Sequence, residues 1–171
     1  VAKKHGEISQ HMFAQYKVDS ITNGVHAYTW AAPALREMFD RYIPGWRVDN
    51  ASLRYALGIQ KLEIWDAHRR AKQALLNYVN QHTDAGMDLN TFTIGFARRA
   101  TAYKRADLLF WNLDRLLAVQ DKGLEFQLIF GGKAHPHDQM GKDLIRKIFE
   151  VKDRLKHRIR IVYLEEYDMA L

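Results

Sequence analysis

The chain has 171 residues, a formal net charge of +6, 47% hydrophobic residues and no cysteine. That length supports a real hydrophobic core, and the missing cysteines exclude disulfides and thiolate metal sites. No apolar run is long enough to span a membrane, no signal-peptide pattern opens the chain, and the charge is too dispersed for a nucleic-acid binder outside Arg98–Arg105. Because the first residue is Val1 and the last lie just beyond an apolar run, the chain is expected to be an excerpt of a longer polypeptide.

Residues 1–17 read as the end of a helix with Ile8, Met12 and Phe13 on one side. Asn23-Gly24 is a turn signal, and Pro33 suits the first turn of a helix carrying Leu35, Met38, Phe39, Tyr42 and Ile43 at helical spacing until Pro44-Gly45. A longer helix is predicted over 61–81, marked by Leu62, Trp65, Leu75, Leu76 and Val79 and closed by Asp84-Ala85-Gly86.

From Thr91 the pattern alternates. A β-prone run from Phe92 to Phe96 precedes Arg98-Arg99, an amphipathic pattern from Tyr103 to Gln120 predicts one helix, and a second apolar run ends in Gly131-Gly132-Lys133. A helix over 138–155 and a third strand from Arg158 to Leu164 follow. Three parallel strands with both edges open make a poor stand-alone domain.

Parallel strands bind ligands beyond their carboxyl ends, and both leading strands end in cations. Arg98, Arg99 and Lys104, with Thr101 as the expected cap of the following helix and its free N–H groups, form an arrangement suited to phosphate. The competing reading is a solvated basic face. His135 and His137 flank Pro136 without a spaced partner and read as a polar loop, so no metal site is expected. Glu165 and Glu166 are adjacent and point opposite ways, so they cannot flank one bond as acid and base.

The run from Thr93 to Arg105 resembles the phosphate-binding segment of the α-glucan (glycogen, starch, maltodextrin) phosphorylases. Residues 129–136 resemble that family's next strand end, residues 162–171 its approach to the cofactor lysine, and residues 1–7 and 22–30 its passage between domains. The resemblance is in order along essentially the whole chain and is closest to the shorter prokaryotic branch. The best-known animal members carry His where Thr101 stands and Arg where Asp168 stands.

The resemblance implies an α/β, GT-B-like glycosyltransferase with two Rossmann domains. Residues 1–23 would end the N-terminal domain, 24–90 form the helical start of the C-terminal domain, and 91–171 the first half of its sheet. It also implies pyridoxal 5'-phosphate as cofactor, its Schiff-base lysine outside this segment, and reversible phosphorolysis of α-1,4-glucans to glucose 1-phosphate. Arg99 and Lys104 would hold the substrate phosphate, Arg98 would lie next to the cofactor phosphate, Trp30 and Tyr167 would line the cofactor pocket, and Asn23 would hydrogen-bond the glucosyl unit.

The implied partners are an α-1,4-glucan, inorganic phosphate, the rest of the same polypeptide and a second copy as a homodimer. No nucleic acid or membrane is implied, the setting is cytoplasmic, and the segment by itself is expected to be inactive. Two other readings stay open: a nucleotide-sugar-dependent glucan synthase of the same architecture, and a non-catalytic basic module for a polyanion.

Overall fold

A computed structural model of the chain describes residues 2–166, which fall into two compact units divided between Ile59 and Gln60.

The first unit contains α1 (Lys3–Met12), the short α2 (Ala27–Trp30), α3 (Pro33–Tyr42) and a 3-10 helix over Asn50–Gly58. Pro33 opens α3, and Gly45, at φ +85°, turns the chain after it. The core of the unit holds Ala34, Met38, Ile43, Trp46 and Ile59. Trp46 is 1% exposed and keeps its indole N–H satisfied by donating to the Asp40 carboxylate at 2.9 Å. The apolar residues expected on one side of α1 are exposed, and the buried position of that helix is Gly6, packed against Ser20. Asn23-Gly24 makes no turn; residues 17–26 run without regular structure, and Gly24 does not take a positive φ.

The second unit is an α/β layer structure. Strands β1 (Phe92–Ala97), β2 (Phe126–Gly131) and β3 (Arg160–Leu164) form one parallel sheet in that order, with Phe92 beside Phe126 and Gln127 beside Arg160. The crossovers run through α5 (Leu113–Asp121) and α6 (Gln139–Leu155), while α4 (Lys61–His82) precedes the sheet. The period-2 alternation of strands divides the side chains. Phe126, Leu128, Phe130 and Ile161 pack with Leu116, Ile148, Val151 and Leu155 of α5 and α6. Ile129, Val162 and Leu164 face the other way and pack with Leu76 and Val79 of α4.

Every residue of β2 is buried, as expected of a central parallel strand covered on both faces. By contrast β1 is an edge among the described residues, with Phe92 68% exposed. The C-terminal half of α4 packs on the sheet through Leu75, Leu76 and Val79, and Ala67 is buried nearer its start, whereas Leu62 and Trp65, expected on its apolar face, are exposed.

The single helix predicted from Tyr103 to Gln120 is not there. The chain makes a three-residue 3-10 turn (Ala102–Lys104), then Arg105 adopts a left-handed conformation at φ 52°, which breaks the helical path. A second short turn (Leu108–Phe110) follows, and α5 begins anew at Asn112, whose side-chain oxygen accepts the Arg115 N–H at 2.8 Å.

Candidate functional site

The carboxyl ends of β1 and β2 are joined beyond the strands themselves. Arg98 donates its N–H to the Gly131 carbonyl at 3.0 Å and Ala100 donates to the Lys133 carbonyl at 3.2 Å, so the ladder continues through Arg98-Arg99-Ala100. From the other side β3 holds the same loop: the Gly132 N–H reaches the Leu164 carbonyl at 3.4 Å, and the Tyr163 hydroxyl donates to the Gly132 carbonyl at 2.9 Å. The Gly131-Gly132-Lys133 segment is thus pinned on both flanks, and the paired arginines leave the sheet on a hydrogen-bonded backbone.

The side chains of Arg98 and Arg99 are exposed, and among the described residues neither has an acidic partner. Lys133 differs, because its ammonium lies 3.4 Å from the Glu166 carboxylate, an exposed pair of small energetic weight. Lys104 is half-buried, its ammonium 5.6 Å from the centre of the Tyr103 ring. It stands with Arg105 at a cavity of about 740 Å³ whose other walls include Ile94, Phe96, Leu109 and Leu128. Arg98 and Arg99 do not line that cavity.

The helix N-terminus expected at Thr101 is absent. The following turn is only three residues long, so there is no array of aligned N–H groups to face an anion. The Thr101 hydroxyl makes no cap; it is buried and has no hydrogen-bond partner. Positive charge at this strand end therefore comes from side chains alone.

Asn23 and Trp30 belong to the first unit. Asn23 is exposed in the irregular stretch, and Trp30 closes α2 with 65% of its surface exposed. Tyr167 and Asp168 lie outside the described residues. His135 and His137 share a loop in which the His137 N–H donates to the His135 ring at 3.2 Å. Among the described residues no group of three or more His, Asp or Glu could hold a metal, and no helix is long and apolar enough to cross a membrane.

Two features of the second unit gave no usable signal in the sequence. One is Gly141 in the first turn of α6, which sits against the Ala100 carbonyl. The other is Gln127, fully buried near the start of β2 at the opposite end of the sheet, where a polar residue reads as an interruption but is in fact a three-way hydrogen-bond clamp.

The family model described as "Carbohydrate phosphorylase" matches residues 3–171. The chain is 34% identical to the maltodextrin phosphorylase of Thermococcus litoralis, an alignment covering 99% of this chain and 24% of that protein. It is also 34% identical to the glycogen phosphorylases of Aquifex aeolicus, with 100% of this chain and 29% of that protein aligned, and of Mycobacterium tuberculosis, with 100% and 23%. The chain spans about a quarter of the length of these curated relatives. With a family match over nearly all its residues and 34% identity to several named phosphorylases, the chain belongs to the carbohydrate phosphorylase family.

Proposed function

We propose that the chain is the central segment of an α-glucan phosphorylase, a GT-B-like enzyme of two Rossmann domains. Residues 1–23 end the first domain, 24–90 open the second, and 91–171 form the first half of its sheet. The observation that carries the reading is the pair of exposed guanidiniums at the β1 end, without acidic partners among the described residues and with their backbone fixed to the β2 end through Arg98 and Ala100. The relatives named above as glycogen and maltodextrin phosphorylases support the substrate class.

In phosphorolysis a phosphate oxygen bonds to the anomeric carbon of the terminal glucosyl unit. The glycosidic C–O bond breaks, and the departing oxygen takes a proton. Arg99 and Lys104 bind the attacking dianion, and Asn23 orients the sugar. Arg98, Trp30 and Tyr167 are the residues that would hold pyridoxal phosphate; at Arg98 an exposed guanidinium with no carboxylate partner among the described residues suits a phosphate group. When bound, that group supplies a second phosphate able to give and take back a proton. Two unit negative charges 4 Å apart repel by about 4 kcal/mol in a surface-like medium, so fixed cations are what the chemistry needs. The guanidinium fork suits bidentate contact and the lysine a point charge.

The protein is proposed to act in the cytoplasm as a homodimer, on α-1,4-glucan and inorganic phosphate. The test is to supply the complete protein with a maltodextrin and either inorganic phosphate or nucleotide-glucose. Glucose 1-phosphate formed only with phosphate supports the reading; glucan extension from nucleotide-glucose alone replaces it with a synthase.

A further inference from the structure

Gly132 and Gly141 both meet the backbone that carries the arginines. A methyl group built on Gly132 would lie 2.1 Å from the Arg98 carbonyl oxygen, and one on Gly141 would lie 2.4 Å from the Ala100 carbonyl oxygen. Neither obstacle is a flexible side chain that can swing away. Gly132 also has φ +141°, a conformation that side-chain-bearing residues rarely adopt. Gly141 is different: it sits inside a helix, where glycine is less favourable than alanine by about 1 kcal/mol, so its presence there calls for a packing reason. It has one, since Ala100 is 2% exposed and its carbonyl fills the place of the missing Cβ.

We propose that Gly132 and Gly141 are positioning residues for phosphate binding: they form a two-sided seat for the carbonyls of Arg98 and Ala100, which sets the direction in which Arg98 and Arg99 leave the sheet. The inference rests on the functional reading above and adds residues that carry no charge to it. The seat is closed by three further contacts. Arg98 and Ala100 bond to the carbonyls of Gly131 and Lys133, and the Asp138 side chain, which caps α6, holds the Gly141 N–H at 2.9 Å. The first turn of α6, the β2 turn and the 98–100 backbone therefore interlock around two absent side chains. Adding one methyl at Gly141 moves the Ala100 carbonyl on the order of half an ångström or more to restore a normal contact.

Phosphorolysis kinetics of the complete protein test this, with Gly141→Ala compared to wild type, to Arg99→Ala and to Gly58→Ala, whose added methyl meets nothing within 4 Å. The KM for inorganic phosphate is expected to rise roughly 10-fold in Gly141→Ala, below the about 100-fold that a full ångström of misplacement can cost. The KM for glucan stays at the wild-type value, and Gly58→Ala matches wild type throughout. A wild-type phosphate KM in Gly141→Ala, with that of Arg99→Ala raised, overturns the positioning role. Should Arg99→Ala itself leave the phosphate KM unchanged, the functional reading fails instead.

Residue-resolved hydrogen exchange on the unsubstituted protein decides the seat independently of folding of the variant or of activity. The Arg98 and Ala100 amides are expected to be protected like those inside β1, and exchange at the rate of an open loop overturns the proposal.

Discussion

The side chain of Gln127 grips both main-chain groups of Asp88: its carbonyl oxygen accepts the Asp88 N–H at 3.0 Å, and its amide N–H donates to the Asp88 carbonyl at 2.8 Å. The remaining amide hydrogen goes to the Thr93 hydroxyl at 2.8 Å, so a residue with no exposed surface has its polar atoms satisfied. The clamp ties the chain entering β1 to the start of β2, and so fixes the start of the strand whose far end carries the arginines.

Gln127→Leu keeps the volume but leaves the partly buried Asp88 N–H and carbonyl without their side-chain partner. An unsatisfied buried group costs about 1–3 kcal/mol, so a loss in that range in urea unfolding is expected. A loss below about 1 kcal/mol would show that water or a backbone shift replaces the clamp.

Asp88 gives the same corner a pH dependence. Its carboxylate accepts from the Thr91 hydroxyl and N–H and from the Asn90 N–H, and these bonds hold its pKa below the ordinary 3.8. A depressed acid stabilises the fold fully above its unfolded value and loses that contribution as pH falls through the lower folded value. In the first unit Asp40 behaves alike, lowered by hydrogen bonds from Arg47 and Trp46. Stability is expected to begin to fall below about pH 4, and Asp88→Asn to flatten that decline in acid unfolding curves. An unchanged acid slope in the variant would contradict the assignment.

Much of this architecture was readable from the sequence, because strands, α3, α4 and α6 carry strong periodicity and clear punctuation. Pro44-Gly45 and Asp84-Ala85-Gly86 end helices where they stand, and Asp138 caps α6 through the Gly141 N–H. The break between Tyr103 and Gln120 was not readable: Leu108, Leu109 and Leu113 keep a helix-like rhythm across it, while a left-handed Arg105 leaves no trace in apolar spacing. At the site, the cations were legible as residue types at a strand end. The seat beneath them was not, because nothing near Gly141 in sequence announces that the Ala100 carbonyl lies against it. The cap predicted for Thr101 failed because capping needs a helix long enough to leave N–H groups in need of it.

Thr101 offers a test of that correction. Its backbone is extended, at φ −142° and ψ 145°, which suits a β-branched residue, and its hydroxyl is buried without a partner. Thr101→Val removes the orphan at nearly constant shape and is expected to stabilise the protein by about 1 kcal/mol. Loss of stability or of pyridoxal absorbance in this variant would reveal that a partner uses the hydroxyl.

The central claim of the proposed function is that Arg99 and Lys104, just beyond the end of β1, bind inorganic phosphate. The most direct measurement is the phosphate dependence of glucan phosphorolysis by the complete protein with Arg99→Ala or Lys104→Ala. Each lost charged hydrogen bond is worth about 1.5–3 kcal/mol, so kcat/KM for phosphate is expected to fall roughly 10- to 150-fold in either variant. The same phosphate dependence in both variants as in the unsubstituted enzyme would contradict the account.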